Sequence, residues 1–252
     1  MNHRICSPTS RSVFASIVGM AALALMLGMR AAPASGQATG SPGDMKIGII
    51  GSGNIGGTVG TLWVKAGHPV LFSSRHPENL KPLVAGLGPL ARAGTVAEAL
   101  EFGDVVFIAV PYAAYPQIGR DYAAELRGKI VLDAGNAVPG RDGDIVKEAN
   151  ANGIGITSAK YLAGARIVRA FNTLGYRILA SNANRPGDRM AIPIAGDDQE
   201  ALRIAQRLVR NAGFDPVIIG TLESAKHFAR GGPLYGQQIT AEEMHQRLKT
   251  LK

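Results

Sequence analysis

The sequence predicts an α/β protein, a doubly wound and mostly parallel sheet with a short C-terminal extension. From Lys46 onward short apolar runs alternate with amphipathic stretches, and a glycine-rich turn stands between the first run and the first helical pattern. Glycine is abundant at 32 residues while aromatic residues make up 6%, which suits backbones that pack closely. A chain of 252 residues that is 46% hydrophobic can fill such a core, so a disordered or fibrous protein is excluded.

The elements follow in order. "KIGII" reads as the first strand and Asn54 to Gly67 as a helix; "PVLFSS" is a strand and Pro77 to Ala85 a short helix. "PLARAG" is a weak strand, Thr95 to Phe102 a helix, "DVVFIAV" a buried strand and Tyr112 to Leu126 a helix. "KIVLDAG", "ARIVRAF" and "MAIPIAG" are strands, Asp198 to Asn211 a helix, and "DPVIIG" the last strand. Apolar runs of this length, each followed by a helical pattern, describe a parallel sheet covered on both faces. From Thr221 the chain reads as an extension too small to be a domain, ending in a helix over Ala241 to Leu248 begun by a capping box of Thr240 and Glu243.

Residues 1–36 have the layout of a secretory signal peptide: Arg4 and Arg11, an uncharged run from Ser12 to Met29, then small residues at Ala32 to Gly36. Residues 37–44 are a flexible tether, and 45–220 the main domain. The expectation is an exported, periplasmic or extracytoplasmic protein. The apolar run could instead stay as a membrane anchor, and a true start at Met45 would make the protein cytoplasmic. "SRSVF" approaches a twin-arginine signal with Ser12 in place of the second arginine.

The formal charge of +8 includes three leader arginines, and the remaining excess suits an anionic small molecule. Basic residues form no block interleaved with aromatics, so no nucleic-acid partner is expected. The single cysteine, Cys6, lies in the leader, and His68, His76, His227 and His245 are far apart, so no metal site is expected.

Gly51, Gly53 and Gly56 form G-x-G-x-x-G directly after a strand and at the head of a helix, which is the context that motif requires. Gly51 allows the tight turn, Gly53 the approach of a pyrophosphate, and Gly56 the packing of helix on strand. The N–H groups around Ser52, Asn54 and Ile55 face the phosphates. This is the dinucleotide site of a Rossmann fold. The second strand ends in Ser73, Ser74 and Arg75 where an NAD site carries an acidic residue on the ribose. A guanidinium and hydroxyls bind a 2′-phosphate, so NADP(H) is preferred over NAD(H). Val110, Pro111 and Tyr112 end one strand and Asn136 and Ala137 another, both opening onto the crevice beside the first strand. Asn136 either bonds a carboxamide or ribose, or is a turn asparagine satisfying its own backbone.

On "KIGIIGSGNIG", "SSRHP", "FIAVPY", "IVLDAGNAV", "VRAFNTLG" and "PIAGDDQEALRIAQRLVRNAGFDPVIIGTLESAK", the chain resembles the NADPH-dependent reductases of the deazaflavin coenzyme F-420 and the dinucleotide-binding enzymes around them. The resemblance implies that Ser52 to Ile55 hold the pyrophosphate, that Ser74 and Arg75 hold the 2′-phosphate, and that Val110 lies near a ribose. Tyr112, Asn172 and Thr173 would stand on the substrate side, with F-420 or a flavin as second substrate and a homodimer as the assembly. It implies no catalytic acid or base, because hydride passes directly between stacked rings. The family's 2′-phosphate lysine has Asn79 near its place, with Lys81 two residues on, and its histidine after the proline-aromatic pair is Ala114. The tail also departs from the family, with His227 and Arg230 as its charged candidates for an anionic substrate.

The leading expectation is an NADPH-dependent oxidoreductase acting on a flavin, deazaflavin or small carbonyl or imine acceptor. The alternative is a non-catalytic dinucleotide-binding sensor or partner of a membrane redox protein, similar to the reductase module of membrane metalloreductases.

Overall fold

Eight strands pair into one sheet: β1 (Ile47–Ile50), β2 (Val70–Ser73), β3 (Ala91–Gly94), β4 (Val105–Ile108), β5 (Ile130–Asp133), β6 (Arg166–Arg169), β7 (Ala191–Gly196) and β8 (Asp215–Gly220). Their order is β3-β2-β1-β4-β5-β6-β7-β8. The computed structural model describes Gly43 and residues 45–251. The predicted signal peptide and, Gly43 apart, the tether lie outside the described residues.

β1 lies between β2 and β4, parallel to both, and the parallel register continues through β6. The sheet is mostly parallel, as expected, with one reversal: β7 runs antiparallel to β6, and β8 returns parallel to β7. The connection from β6 to β7 holds one short helix, Tyr176–Asn182, so no full crossover returns the chain to the same end of the sheet.

Alternation along each strand feeds two cores. Ile47 and Ile49, Val105 and Phe107, and Ile130 and Leu132 face one side with Trp63, whereas Ile50, Val106, Ile108 and Val131 face the other. Burial on both faces explains the continuous apolar runs. The helices are α1 (Asn54–Lys65), α2 (Lys81–Ala85), α3 (Val96–Phe102), α4 (Tyr115–Asp121), α5 (Ala123–Leu126), α6 (Ile145–Asn152), α7 (Ile154–Tyr161), α8 (Tyr176–Asn182), α9 (Gln199–Asn211) and α10 (Ala241–Lys249). The sequence reading does not contain α6, α7 and α8. It also joins α4 and α5 into one helix, which the structure breaks at Tyr122.

The C-terminal extension belongs to the second core. Met244 of α10 is buried, Phe228 and Leu234 join the same cluster, and the Ala191 N–H donates to the Ile239 carbonyl at 2.8 Å. Among the described residues no helix is long and apolar enough to cross a membrane, and no group of His, Cys, Asp and Glu could hold a metal ion.

Candidate functional site

A cleft of about 540 Å³ opens at the carboxyl ends of β1, β4, β5 and β6. Gly53, Asn54 and Ile55 form its wall after β1, Val110 and Pro111 the wall after β4, Gly135 and Asn136 the wall after β5, and Asn172 the wall after β6. Tyr176 and, from the C-terminal extension, Tyr235 complete it. Strand order leaves β1 in both directions there, and such a switch point is where open α/β sheets bind ligands.

The three glycines of the turn meet different surroundings. Gly51 has φ +94°, and a Cβ there would stand 2.4 Å from a Val110 methyl and 2.7 Å from the Ala109 carbonyl oxygen. A Cβ on Gly56 would fall 2.0 Å from the Gly51 carbonyl oxygen. Both positions are closed by the protein itself. Gly53, with φ −76°, has no atom within 4 Å of where its Cβ would be, so its open side belongs to the cleft. Beside it the Ser52 N–H donates to the Ser73 carbonyl at 3.1 Å, while the buried Ser52 Oγ has no hydrogen-bond partner among the described residues. Space at Gly53, an unpartnered hydroxyl and the positive end of α1 fit a pyrophosphate. A second cleft, of about 470 Å³, continues from Gly53, Asn54 and Tyr176 along Thr58, Thr61 and Lys65 of α1 to Leu83.

The opposite wall is built on buried charge. Arg169 at the end of β6 and Asp133 at the end of β5 are fully buried and paired at 2.7 Å. The Asp133 carboxylate also accepts from the Tyr115 hydroxyl and the Gly135 N–H, and Arg169 donates to the Gly135 carbonyl. Burial opposes the Arg169 charge, but Asp133 outweighs it and its pKa rises. Burial and the Asp133 charge push the Tyr115 hydroxyl well above its usual range, and the same two causes raise Tyr112. Together these groups brace the Gly135-Asn136 turn.

Asn136 and Asn172 then lock to each other. The Asn136 amide donates to the Asn172 carbonyl at 2.7 Å, and the Asn172 amide donates to the Phe228 carbonyl at 3.0 Å and to Asn136 Oδ1 at 3.3 Å. Both acceptors of the Asn172 amide are oxygens, which fixes its orientation and leaves Asn172 Oδ1 buried without a partner among the described residues. Arg141 donates to the Asn136 carbonyl at 2.8 Å and pairs with buried Asp142 at 2.7 Å. Burial works against the Asp142 charge, yet the Arg141 guanidinium and the Val138 and Ala113 N–H groups outweigh it and lower its pKa.

The structure gathers Gly53, Asn54, Ile55, Val110, Pro111, Asn136 and Asn172 in one cleft and places Ser52 in the adjoining one. Three expectations are corrected. Ser73 is fully buried and its hydroxyl donates to the Ile49 carbonyl at 2.6 Å, so it supports the turn from inside the sheet. Tyr112 is fully buried, bonded to the Ile154 carbonyl and Ser158 at 2.9 Å each, and does not line the cleft. Thr173 is buried and takes part through its carbonyl, which accepts from the Gly236 N–H. The Asn136 amide is no local turn cap: one of its N–H groups donates to the Asn172 carbonyl, and the residue lines the cleft as expected. Ala137 lies in a separate recess, described below. Ser74 is half-buried and accepts from the His76 N–H, and Arg75 is exposed at the end of β2. Sequence reasoning missed Asp133, Arg169, Tyr115, Arg141, Tyr176 and Tyr235. For Asp133 a signal existed, because it is a charge closing an otherwise apolar strand, and for Arg169 a weaker one, because β6 also opens on Arg166.

Residues 46–137, from β1 to the Asn136 turn, match the family model of NADP oxidoreductase, coenzyme F420-dependent. The matched segment carries the glycine turn and the strands β1 to β5. Metalloreductase STEAP3 of Rattus norvegicus is 32% identical over 186 residues, which are 72% of this chain. The chain spans 35% of the length of that relative. Among solved structures, the hypothetical protein SMa0349 from Sinorhizobium meliloti superposes with a TM-score of 0.67 at 28% identity, covering 78% of this chain and 95% of the other. An imine reductase from Myxococcus stipitatus shares the fold, with a TM-score of 0.52 at 17% identity over 82% of this chain and 62% of its own.

Proposed function

We propose that the protein is an NADPH-dependent oxidoreductase that transfers hydride to a flavin, a deazaflavin or a small carbonyl or imine acceptor. The observation that carries this reading is the cleft itself. The open face of Gly53 meets a cavity large enough for a second ring, the unpartnered Ser52 hydroxyl lies beside it under the adjoining cleft, and the walls around that cavity are rigid.

In this reading Gly51 to Gly56 receive the pyrophosphate on backbone N–H groups, and Ser74 and Arg75 hold the 2′-phosphate at the end of β2. Val110 and Pro111 flank the ribose, and the braced Gly135-Asn136 turn with Asn172 forms the floor against which the reacting ring rests. NADPH, when bound, supplies a hydride, two electrons with one proton, and an acceptor that needs a further proton takes it from solvent. The protein contributes position and the exclusion of water. The partner is thus a small-molecule acceptor, and a homodimer is the proposed assembly. Export by the leader is proposed with it.

The test is a titration of the protein with NADPH and NADH, followed by NADPH oxidation with flavins, a deazaflavin and imines as acceptors. We expect NADPH to bind at least tenfold more tightly than NADH, and Arg75→Ala to remove most of that preference. Equal losses for both nucleotides would refute the phosphate assignment. The similarity to one part of a metalloreductase favours a second reading, a dinucleotide module serving a membrane redox partner. NADPH binding with no turnover on any acceptor would select it.

A further inference from the structure

Behind Tyr235 the cleft leads into two joined recesses of about 260 and 430 Å³. Tyr235 lines both the main cleft and the larger recess, and the two recesses share Ala137, Asn150, Arg230 and Gly231. No carboxylate lines either one. The cations are Arg230, which has no carboxylate within 4.0 Å among the described residues, and Lys226, whose Nζ lies a loose 4.0 Å from Glu223. The nearby acid on α6, Glu148, is committed elsewhere, to Lys160 at 2.7 Å and to the Tyr161 hydroxyl.

The wall that carries Arg230 is rigid. The Gly232 N–H donates to the Ala229 carbonyl, Leu234 to His227, Tyr235 to Gly232, and Gly236 to Thr173, each at 2.8 to 3.0 Å. Gly232 is required there, because a Cβ would meet the Lys226 carbonyl oxygen at 2.4 Å. Leu234 is buried, and the Asn172 amide ties the Phe228 carbonyl to the cleft floor. A cation on a rigid wall loses little freedom when it binds an anion.

We infer that these recesses are an anion subsite for the hydride acceptor, with Arg230 and Lys226 receiving a phosphate or carboxylate group while the redox ring lies in the main cleft. This rests on the reading of the cleft as the hydride-transfer site. It narrows the acceptor to molecules that join a planar ring to an oxyanion and disfavours small neutral carbonyls and imines.

The probes are FMN and riboflavin, which share a ring and differ by one phosphate. Fluorescence anisotropy would follow the binding of each to the full protein saturated with NADP⁺. Expected is FMN binding about tenfold or more tighter than riboflavin, with an advantage that shrinks as salt rises. In Arg230→Gln with Lys226→Gln the FMN-to-riboflavin ratio should fall toward one, with NADPH affinity as a check that the fold is kept. Equal affinities in the wild-type protein, or a ratio unmoved by the double substitution, would overturn the subsite. NADPH oxidation measured alongside separates the two claims. Equal turnover of both flavins would sink the subsite and leave the oxidoreductase, whereas selective FMN binding without turnover would sink the oxidoreductase and leave the subsite.

Discussion

The two walls of the cleft are made by opposite means. After β1 the wall is backbone alone, three glycines within one turn, two closed by neighbouring carbonyls and one open to the cavity. After β5 and β6 it is side chain on side chain, a buried ion pair under a pair of locked asparagines. A wall of backbone offers N–H groups wherever phosphate oxygens arrive. A wall of buried charge offers no donor of its own to the cavity but cannot move, because a displaced Arg169 or Asp133 would face the core unpaired. One wall is specialised for binding and the other for holding a surface still.

The largest effect should come from breaking the second wall. Arg169→Ala leaves Asp133 buried among apolar strands and should cost about 3–5 kcal/mol, read as the shift in urea denaturation. It should also disorder the Gly135-Asn136 turn, so NADPH binding weakens although Arg169 never touches the cleft. A denaturation midpoint within error of the wild type would mean that the pair is not what holds this wall.

The two walls were not equally legible. The first is local, since Gly51, Gly53 and Gly56 declare themselves by spacing within six residues and by their place between strand and helix. Most of the strands were legible for the same reason. The second wall joins Arg169 to Gly135, Asn136 to Asn172 and Asn172 to Phe228, across 34 to 56 positions. No local pattern encodes such pairs. Tyr112 was misplaced because a tyrosine after a strand looks alike whether it turns to the cleft or into the core. The reversal of β7 was hidden because a strand buried on both faces carries the same apolar run in either direction.

Within the glycine wall, two substitutions should separate closed positions from the open one. Gly56→Ala drives a Cβ into the Gly51 carbonyl and should destabilise by about 1–3 kcal/mol as the turn is forced apart. Gly53→Ala meets no atom and should leave the thermal melt within about a degree, yet its methyl group stands where the phosphates would lie, so NADPH affinity should fall about tenfold or more. A destabilised Gly53→Ala, or one that binds normally, would show that this glycine is not the contact surface.

The smallest effect lies on β6 itself, which carries two arginines at opposite ends. Arg169 is buried, whereas Arg166 is part-exposed and pairs with Asp198 and Glu200 at 2.6 Å each. Asp198 also caps α9 by accepting the Ala201 N–H at 2.8 Å. The Arg166 hydrogen bond first, and the Ala201 N–H second, hold the Asp198 carboxyl down to about 2. A folded value below the unfolded one, about 4, means that this group's contribution is complete above pH 4 and is lost as pH falls from there toward 2. Melting temperatures taken from pH 6 to pH 2 should therefore fall only at the acid end, and the Asp198→Asn variant should trace a flatter curve over that last interval. At pH 7 Arg166→Ala should shift the urea midpoint far less than Arg169→Ala, because a solvated pair gives up water on breaking where a buried one exposes an unpaired charge. Equal shifts would place the strength of β6 in its number of ion pairs and not in their burial.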